Sequence, residues 1–247
     1  MHKISFMSAN FVARELEYKM PDGWMQGDQA AQEWLRPIST FEIRFGAMLD
    51  EIKELGFKAI DLWTAHLNWS WATPAHLDIA KSLLTEKGLR VVSYAGGFGE
   101  TAAEFDAACR ICAHLNIPIL GGGTSLLQED RGTLVAILRE HGVVFALENH
   151  PEASAQELLA KLGPGDEDVI GVAIDSGWFA TNACDPLTAL QEILPRVKHV
   201  HLKDVLPKPE KPTGYFFKDM GHETCELGKG IVPLEAIIGE LVKAGYR

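Results

Sequence analysis

Short apolar runs alternate with longer amphipathic ones along this chain. Phe41, Phe45, Met48, Leu49, Ile52 and Leu55 recur at helical spacing, which predicts a helix over Phe41–Leu55. Gly56 follows it and can supply a left-handed cap. The same reading predicts strands over Lys3–Ser8, Ala59–Trp63, Val91–Tyr94 and Ile117–Leu120. It predicts helices over Pro74–Thr85, Ala102–Leu115 and Leu126–Glu140. Further along come strand Val143–Asn149, helix Ser154–Leu162, strand Ile170–Asp175, helix Pro186–Leu194, strand Val197–Lys203 and helix Pro233–Lys243. The strands are mostly apolar and β-branched, as parallel strands covered by helices should be. After the first unit they recur every 25–35 residues or so, roughly the length of a βαβ unit.

This rhythm predicts an α/β fold, a (β/α)8 TIM barrel, with its eighth strand and final helix missing. The chain stops at Ala244-Gly245-Tyr246-Arg247, a stretch like Leu55-Gly56-Phe57-Lys58, which leads into a strand. An open sheet leaves unpaired edges. The expectation is a single domain over residues 1–247, truncated at its C-terminus; a natural seven-stranded barrel is the alternative.

Composition agrees with that size of fold. The 247 residues are close to the length of about 250 typical of one barrel. The net charge of −11, from 23 basic and 34 acidic residues, argues against a nucleic-acid or membrane-surface binder. No apolar run reaches about 18 residues, and the N-terminus lacks the apolar stretch of a signal peptide. A cytoplasmic protein is expected. Cys109 and Cys112 have CxxC spacing inside a helical pattern, but Cys184 and Cys225 do not repeat it. Buried thiols in a reducing compartment are the expectation, with a redox or zinc role as the alternative.

Active sites of such barrels lie at the C-terminal ends of the strands. Three successive strands end in candidate metal ligands: Leu147-Glu148-Asn149-His150, Asp175-Ser176-Gly177 and His199-Val200-His201-Leu202-Lys203-Asp204. Two carboxylates and an imidazole can jointly bind Mn, Mg, Co or Zn as divalent ions. Salt bridges and helix caps are the other reading. Side chains two apart on a strand share a face. His199, His201 and Lys203 therefore point one way, with Val200 and Leu202 opposite, packed on helices. His201 lies nearer the strand end and is the better ligand. Small Ala146 and Ala173 leave room beneath Glu148 and Asp175. Other candidates are His66, Trp69 and Trp71 after the second strand. Gly121–Thr124 after the fourth strand reads as a turn, either phosphate-approaching or plainly flexible. Lys203 can bind a substrate oxygen or phosphate, or pair with Asp204.

The stretches ALENHPE, GVAIDSGWFA and VKHVHLKD resemble the xylose isomerase-like TIM-barrel superfamily. This is the sugar phosphate isomerase/epimerase group, with inosose dehydratases and tagatose-type epimerases. The resemblance covers essentially the whole chain. It implies one divalent metal ion held by Glu148, Asp175 and His201, with Glu148 also the catalytic base. It implies a fourth ligand, a Glu on strand eight, beyond this chain. Many members carry His three residues after the strand-six Asp; here Trp178 stands there, able to stack on a sugar or close the pocket. In similar relatives a His or aromatic at the His66 position contacts substrate. Trp69 is a second candidate contact, since aromatic faces suit sugars, with core filling as the alternative; His150 is another. Glu226 and His222 are candidates to reach the pocket, with solvent-exposed loop roles as the alternative, and Lys203 is a candidate catalytic residue that assists proton transfer. The resemblance admits a homodimer.

The expected activity is therefore a metal-dependent isomerase, epimerase or dehydratase acting beside a carbonyl of a sugar, keto-sugar or cyclitol through an enediolate-like intermediate. Metal-assisted hydrolysis of a phosphate ester or similar bond is the first alternative. A non-catalytic sugar-binding barrel is the second. Neither nucleic acid nor membrane is an expected partner.

Overall fold

The computed structural model describes residues 4–207 and 223–246. Contacts divide the chain into two compact units. One runs to Leu120 and resumes over Thr124–Val144; the other comprises Gly121–Gly123 and the chain from Phe145 onward.

The first unit opens with β1 (Phe6–Met7) and a 3-10 turn over Ser8–Phe11. Then come α1 (Trp24–Leu35), α2 (Ile38–Glu54), β2 (Ala59–Trp63), α3 (Pro74–Lys87), β3 (Arg90–Gly97) and α4 (Ala102–Leu115). The start of β4 (Ile119–Gly123), α5 (Leu126–Glu129) and α6 (Arg131–His141) complete it. β1 pairs with β2 and β2 with β3, both in parallel. The apolar stripe of α2 packs as its spacing requires: Phe41, Phe45, Leu49 and Ile52 are fully buried, and the two Phe rings stack at 5.0 Å. Each such side chain contributes about 1.5–3 kcal/mol when removed from water.

The second unit contains the end of β4, β5 (Val144–Glu148) from Phe145, α7 (Ala155–Leu162) and β6 (Ile170–Asp175). It continues through α8 (Ser176–Thr181), α9 (Pro186–Ile193), β7 (Val197–His201), β8 (Asp204–Val205), β9 (Thr224–Cys225) and α10 (Leu234–Lys243). β6 pairs in parallel with β5 and β7, while β8 and β9 form an antiparallel pair. Strand β6 is buried along its whole length. Parallel strands alternating with helices are the (β/α) barrel pattern, and seven strands of that barrel type occur among the described residues.

Several expected boundaries move. β1 covers only Phe6–Met7, and Ser8 already begins a turn; Lys3 lies outside the described residues. Helix α1 carries no apolar stripe strong enough to announce it, since its buried positions are Gly27, Asp28, Ala31 and Leu35. The helix expected over Leu126–Glu140 breaks at Asp130, whose extended φ of −150° ends α5 and whose side chain caps α6 by accepting from Thr133 N. Gly121–Gly123 is strand, not the turn expected there. β7 ends at His201, and Leu202 is exposed, at 36%, so helices do not cover it as the alternation suggests.

Candidate metal centre

The centre is built in the second unit, at the ends of β5, β6 and β7. Register puts Glu148 level with Ala173 and Asp175 level with His201. The two carboxylates are buried, at 9% and 4% exposure. The His201 imidazole lies with Nδ1 2.6 Å from Glu148 Oε1. The chain turns back after β5, and that turn returns His150 to the same place. Its Nδ1 lies 3.5 Å from Glu148 Oε2 and its Nε2 3.6 Å from Asp175 Oδ2. Lys203 Nζ stands 3.4 Å from the same Asp175 oxygen.

The charge balance follows from this placement. Burial pushes the Glu148 carboxyl up, but the His201 charge and hydrogen bond, with His150 behind them, outweigh it and hold it below the usual carboxylate range. Burial likewise acts against the Asp175 carboxylate, and Lys203, His150 and His201 together more than reverse it. Both carboxylates are thus ionised at neutral pH in a place where an unpaired anion is costly.

Local hydrogen bonds hold these side chains in position. Asn149, fully buried, accepts from the Asp175 N–H at 2.6 Å and donates to the Asp175 carbonyl at 3.0 Å. Asp175 Oδ1 accepts from Trp178 N at 2.9 Å, which caps α8 and leaves Oδ2 to face His150 and Lys203. Ser176 Oγ donates to the Lys203 carbonyl at 2.9 Å and accepts from Lys203 N at 3.0 Å. Gly177 lets the Lys203 stem pass, since a Cβ there would meet Lys203 Cγ at 2.8 Å. The Trp178 ring is buried, donates from Nε1 to the Glu152 carbonyl at 3.2 Å, and packs edge-on to His150 with centroids 4.4 Å apart.

Two carboxylates and neutral-capable imidazoles fit a divalent cation. Ligand atoms of Glu148, His150 and Asp175 all lie within 4.8 Å of one another. His201 joins them through its contact with Glu148. The centre therefore brings together all three residues expected as ligands and adds His150, expected only against substrate. Asn149 and Ser176 escape the sequence reading; the one signal for Asn149 is its place directly after the strand-ending Glu148.

The remaining expected residues fall elsewhere. His66 and Trp69 belong to the first unit, where His66 is buried and Trp69 Nε1 donates to the Gly97 carbonyl at 2.8 Å. Trp71 Nε1 donates to Gln32 Oε1 at 3.2 Å. Glu226 is exposed, in the loop after β9, and His222 lies outside the described residues. Lys203 pairs with Asp175, not Asp204, because the Asp204 carboxylate accepts from four backbone N–H groups. Cys109 and Cys112 are buried and free. Burial, with Asp106 nearby, takes the Cys109 thiol up to about 12, and burial raises Cys112 far above its usual range. Neither is a reactive thiol.

A strand-end cluster of this kind on a (β/α) framework defines a class of TIM-barrel proteins. Residues 49–247 match the xylose isomerase-like TIM barrel family, and the chain belongs to it. Inosose dehydratase of Clostridium perfringens (strain 13 / Type A) is 30% identical over 108 residues, 40% of this chain and 36% of that protein. The chain spans about a third of the length of the curated relatives it matches. A xylose isomerase-like TIM barrel protein from Mycobacterium smegmatis, solved in complex with magnesium, shares the fold with a TM-score of 0.65 at 16% identity, covering 85% of this chain and 80% of that one. The probable 3-DHS dehydratase AsbF of Bacillus anthracis does so with a TM-score of 0.60 at 17% identity, covering 98% and 89%. Among the described residues no helix is long and apolar enough to cross a membrane.

Proposed function

We propose that this chain is a metal-dependent isomerase, epimerase or dehydratase acting beside a carbonyl of a sugar, keto-sugar or cyclitol. The observation that carries the reading is the buried pair Glu148 and Asp175 among His150, His201 and Lys203. Glu148, Asp175 and His201, with His150, would hold one Mn, Mg, Co or Zn ion. When bound, such an ion supplies Lewis-acid polarisation of a carbonyl. Inosose dehydratase, among the relatives, supports a substrate of this class.

The chain's own residues then have separate tasks. Glu148 is ionised, so Oε2 can take the proton from the carbon next to the carbonyl. Asp175 is fixed by Asn149 and the Trp178 N–H, so its orientation does not change as charge moves. The Lys203 ammonium offers a donor to the oxygen on which negative charge develops. Trp178 holds the His150 ring edge-on and so acts through His150. His66 enters as a candidate substrate contact by family resemblance, and Trp69 and Glu226 enter by residue type and place in the sequence. Four free cysteines support a reducing cytoplasm as the location.

Solvent deuterium exchange at the substrate carbon tests the assignment. A panel of sugars and cyclitols identifies a substrate, and Glu148→Gln is then expected to abolish exchange while the circular dichroism spectrum stays unchanged. Retained exchange in a folded Glu148→Gln protein would remove Glu148 as the base.

A further inference from the structure

No conformational need explains Gly177. It is the second residue of α8, it is buried, and its backbone is helical, not left-handed. Alanine would suit that backbone better, and the freedom that glycine offers at positive φ goes unused.

A close approach explains it. A Cβ at Gly177 would stand 2.8 Å from Cγ, 3.0 Å from Cδ and 3.1 Å from Cβ of Lys203. These atoms are the stem of the side chain near its backbone, not the movable tip, so even a methyl group would turn the stem aside. Nor can the stem retreat with its backbone. β7 has ended at His201, and the buried Ser176 hydroxyl takes hold of Lys203 instead. Ser176 Oγ donates to the Lys203 carbonyl at 2.9 Å and accepts from the Lys203 N–H at 3.0 Å, using its one hydrogen and a lone pair on the same residue. The tip of the side chain stands 3.4 Å from Asp175 Oδ2.

Three consecutive residues thus meet one lysine along its length: Ser176 at the backbone, Gly177 along the stem and Asp175 at the ammonium. The ion pair alone would order it poorly. The Lys203 side chain is 35% exposed, and a partly exposed pair gains little against the entropy of holding a long side chain still.

We propose that Ser176 and Gly177 are positioning residues that seat Lys203, Ser176 by clasping its backbone and Gly177 by leaving a channel for its stem. The catalytic value of the seat rests on the donor role of Lys203 in the function proposed above; the seat itself does not. A donor held in place beforehand stabilises a developing oxyanion without reorganising during the reaction.

Proton–nitrogen spectra of the lysine ammonium groups in the full chain, isotopically labelled at lysine, test the seat without substrate. A Lys203→Met sample assigns the signal. In the wild type the Lys203 ammonium is expected to exchange its hydrogens with water about tenfold or more slowly than that of the exposed Lys53. Ser176→Ala and Gly177→Ala are each expected to speed the Lys203 exchange about tenfold. A wild-type rate equal to that of Lys53 overturns the proposal. So does an unchanged rate in either variant when folded. If neither variant folds, the wild-type comparison alone decides. With a substrate from the sugar and cyclitol panel, kcat/KM adds a reading that a merely structural role would not give. Ser176→Ala is expected to lower it about 10–100-fold in the wild type, but less than about threefold in a Lys203→Met protein. An equal loss in both backgrounds would show that Ser176 does not act through Lys203 and overturns the proposal. Retained exchange in Glu148→Gln would count against the proposed function and leave the ammonium result standing. A freely exchanging Lys203 would leave the Glu148 experiment intact.

Discussion

Replacing Asp204 by Asn tests how the segment after β7 is held. The side chain has nearly the same shape, so packing is preserved. Asp204 is 1% exposed and accepts four backbone hydrogen bonds. Oδ1 takes Val205 N at 2.9 Å and Val232 N at 3.1 Å; Oδ2 takes Gly228 N at 2.9 Å and Gly230 N at 2.8 Å. An Asn amide has one oxygen, and its NH2 group would face two N–H donors. Whichever way it turns, two donors lose their acceptor, either the buried Val205 and Val232 N–H groups or the part-buried Gly228 and Gly230 ones. At about 0.5–1.5 kcal/mol for each part-buried hydrogen bond, the least costly orientation loses about 1–3 kcal/mol. Urea denaturation of wild type and Asp204→Asn measures it, and amide exchange should be accelerated at Gly228, Gly230 and Val232. The difference also depends on pH. Burial raises the Asp204 carboxyl, but the four N–H groups outweigh it, so the folded value lies below the ordinary one. The stabilisation is therefore fully present above the unfolded value of about 3.9 and is lost as pH falls through the folded value. The gap between the two proteins should be constant from pH 7 to about 5 and narrow in stronger acid. A loss under about 0.5 kcal/mol at pH 7, below the usual worth of one hydrogen bond, would refute the reasoning.

Two further outcomes are expected. Asn149→Ala removes both hydrogen bonds to the Asp175 backbone, and is expected to weaken metal affinity about 10–100-fold with the fold retained, as read by titration calorimetry; unchanged affinity would show that Asp175 needs no such support. Cys109 and Cys112 should react with a thiol reagent only as fast as the protein unfolds, because both are buried and hard to ionise; rapid labelling of either in the native protein would contradict that.

Where the sequence carried a strong local signal, it located structure closely. Ile170–Asp175 is strand over the residues its apolar run indicates, because a strand buried along its length is apolar up to the Asp175 that ends it. Glu148 and His201 were legible as partners from residue type and strand position alone, although 53 residues separate them. His150 was harder to place. Its approach to both carboxylates depends on the path of the chain after β5, which side-chain alternation along a strand does not describe. Helix α1 was hidden because its inward face uses Gly27 and Asp28, and Asp28 earns its burial by accepting from the Trp63 indole at 2.7 Å. Asp204 looked like a loop charge available to Lys203; its real partners are backbone amides up to 28 residues away, which leave no mark in composition. Residue types thus announced the chemistry, while tertiary hydrogen bonding decided which neighbours serve it.

The central claim is that the strand-end carboxylates and imidazoles hold one divalent ion. Its most direct test is metal content by elemental analysis, after equilibration with Mn, Mg, Co and Zn and removal of free ion, in wild type and in Asp175→Asn. The account predicts about one ion per chain in the wild type for at least one of these metals, and its loss in Asp175→Asn with the circular dichroism spectrum unchanged. A wild type that retains none of the four, or a folded Asp175→Asn that retains a full equivalent, would contradict it.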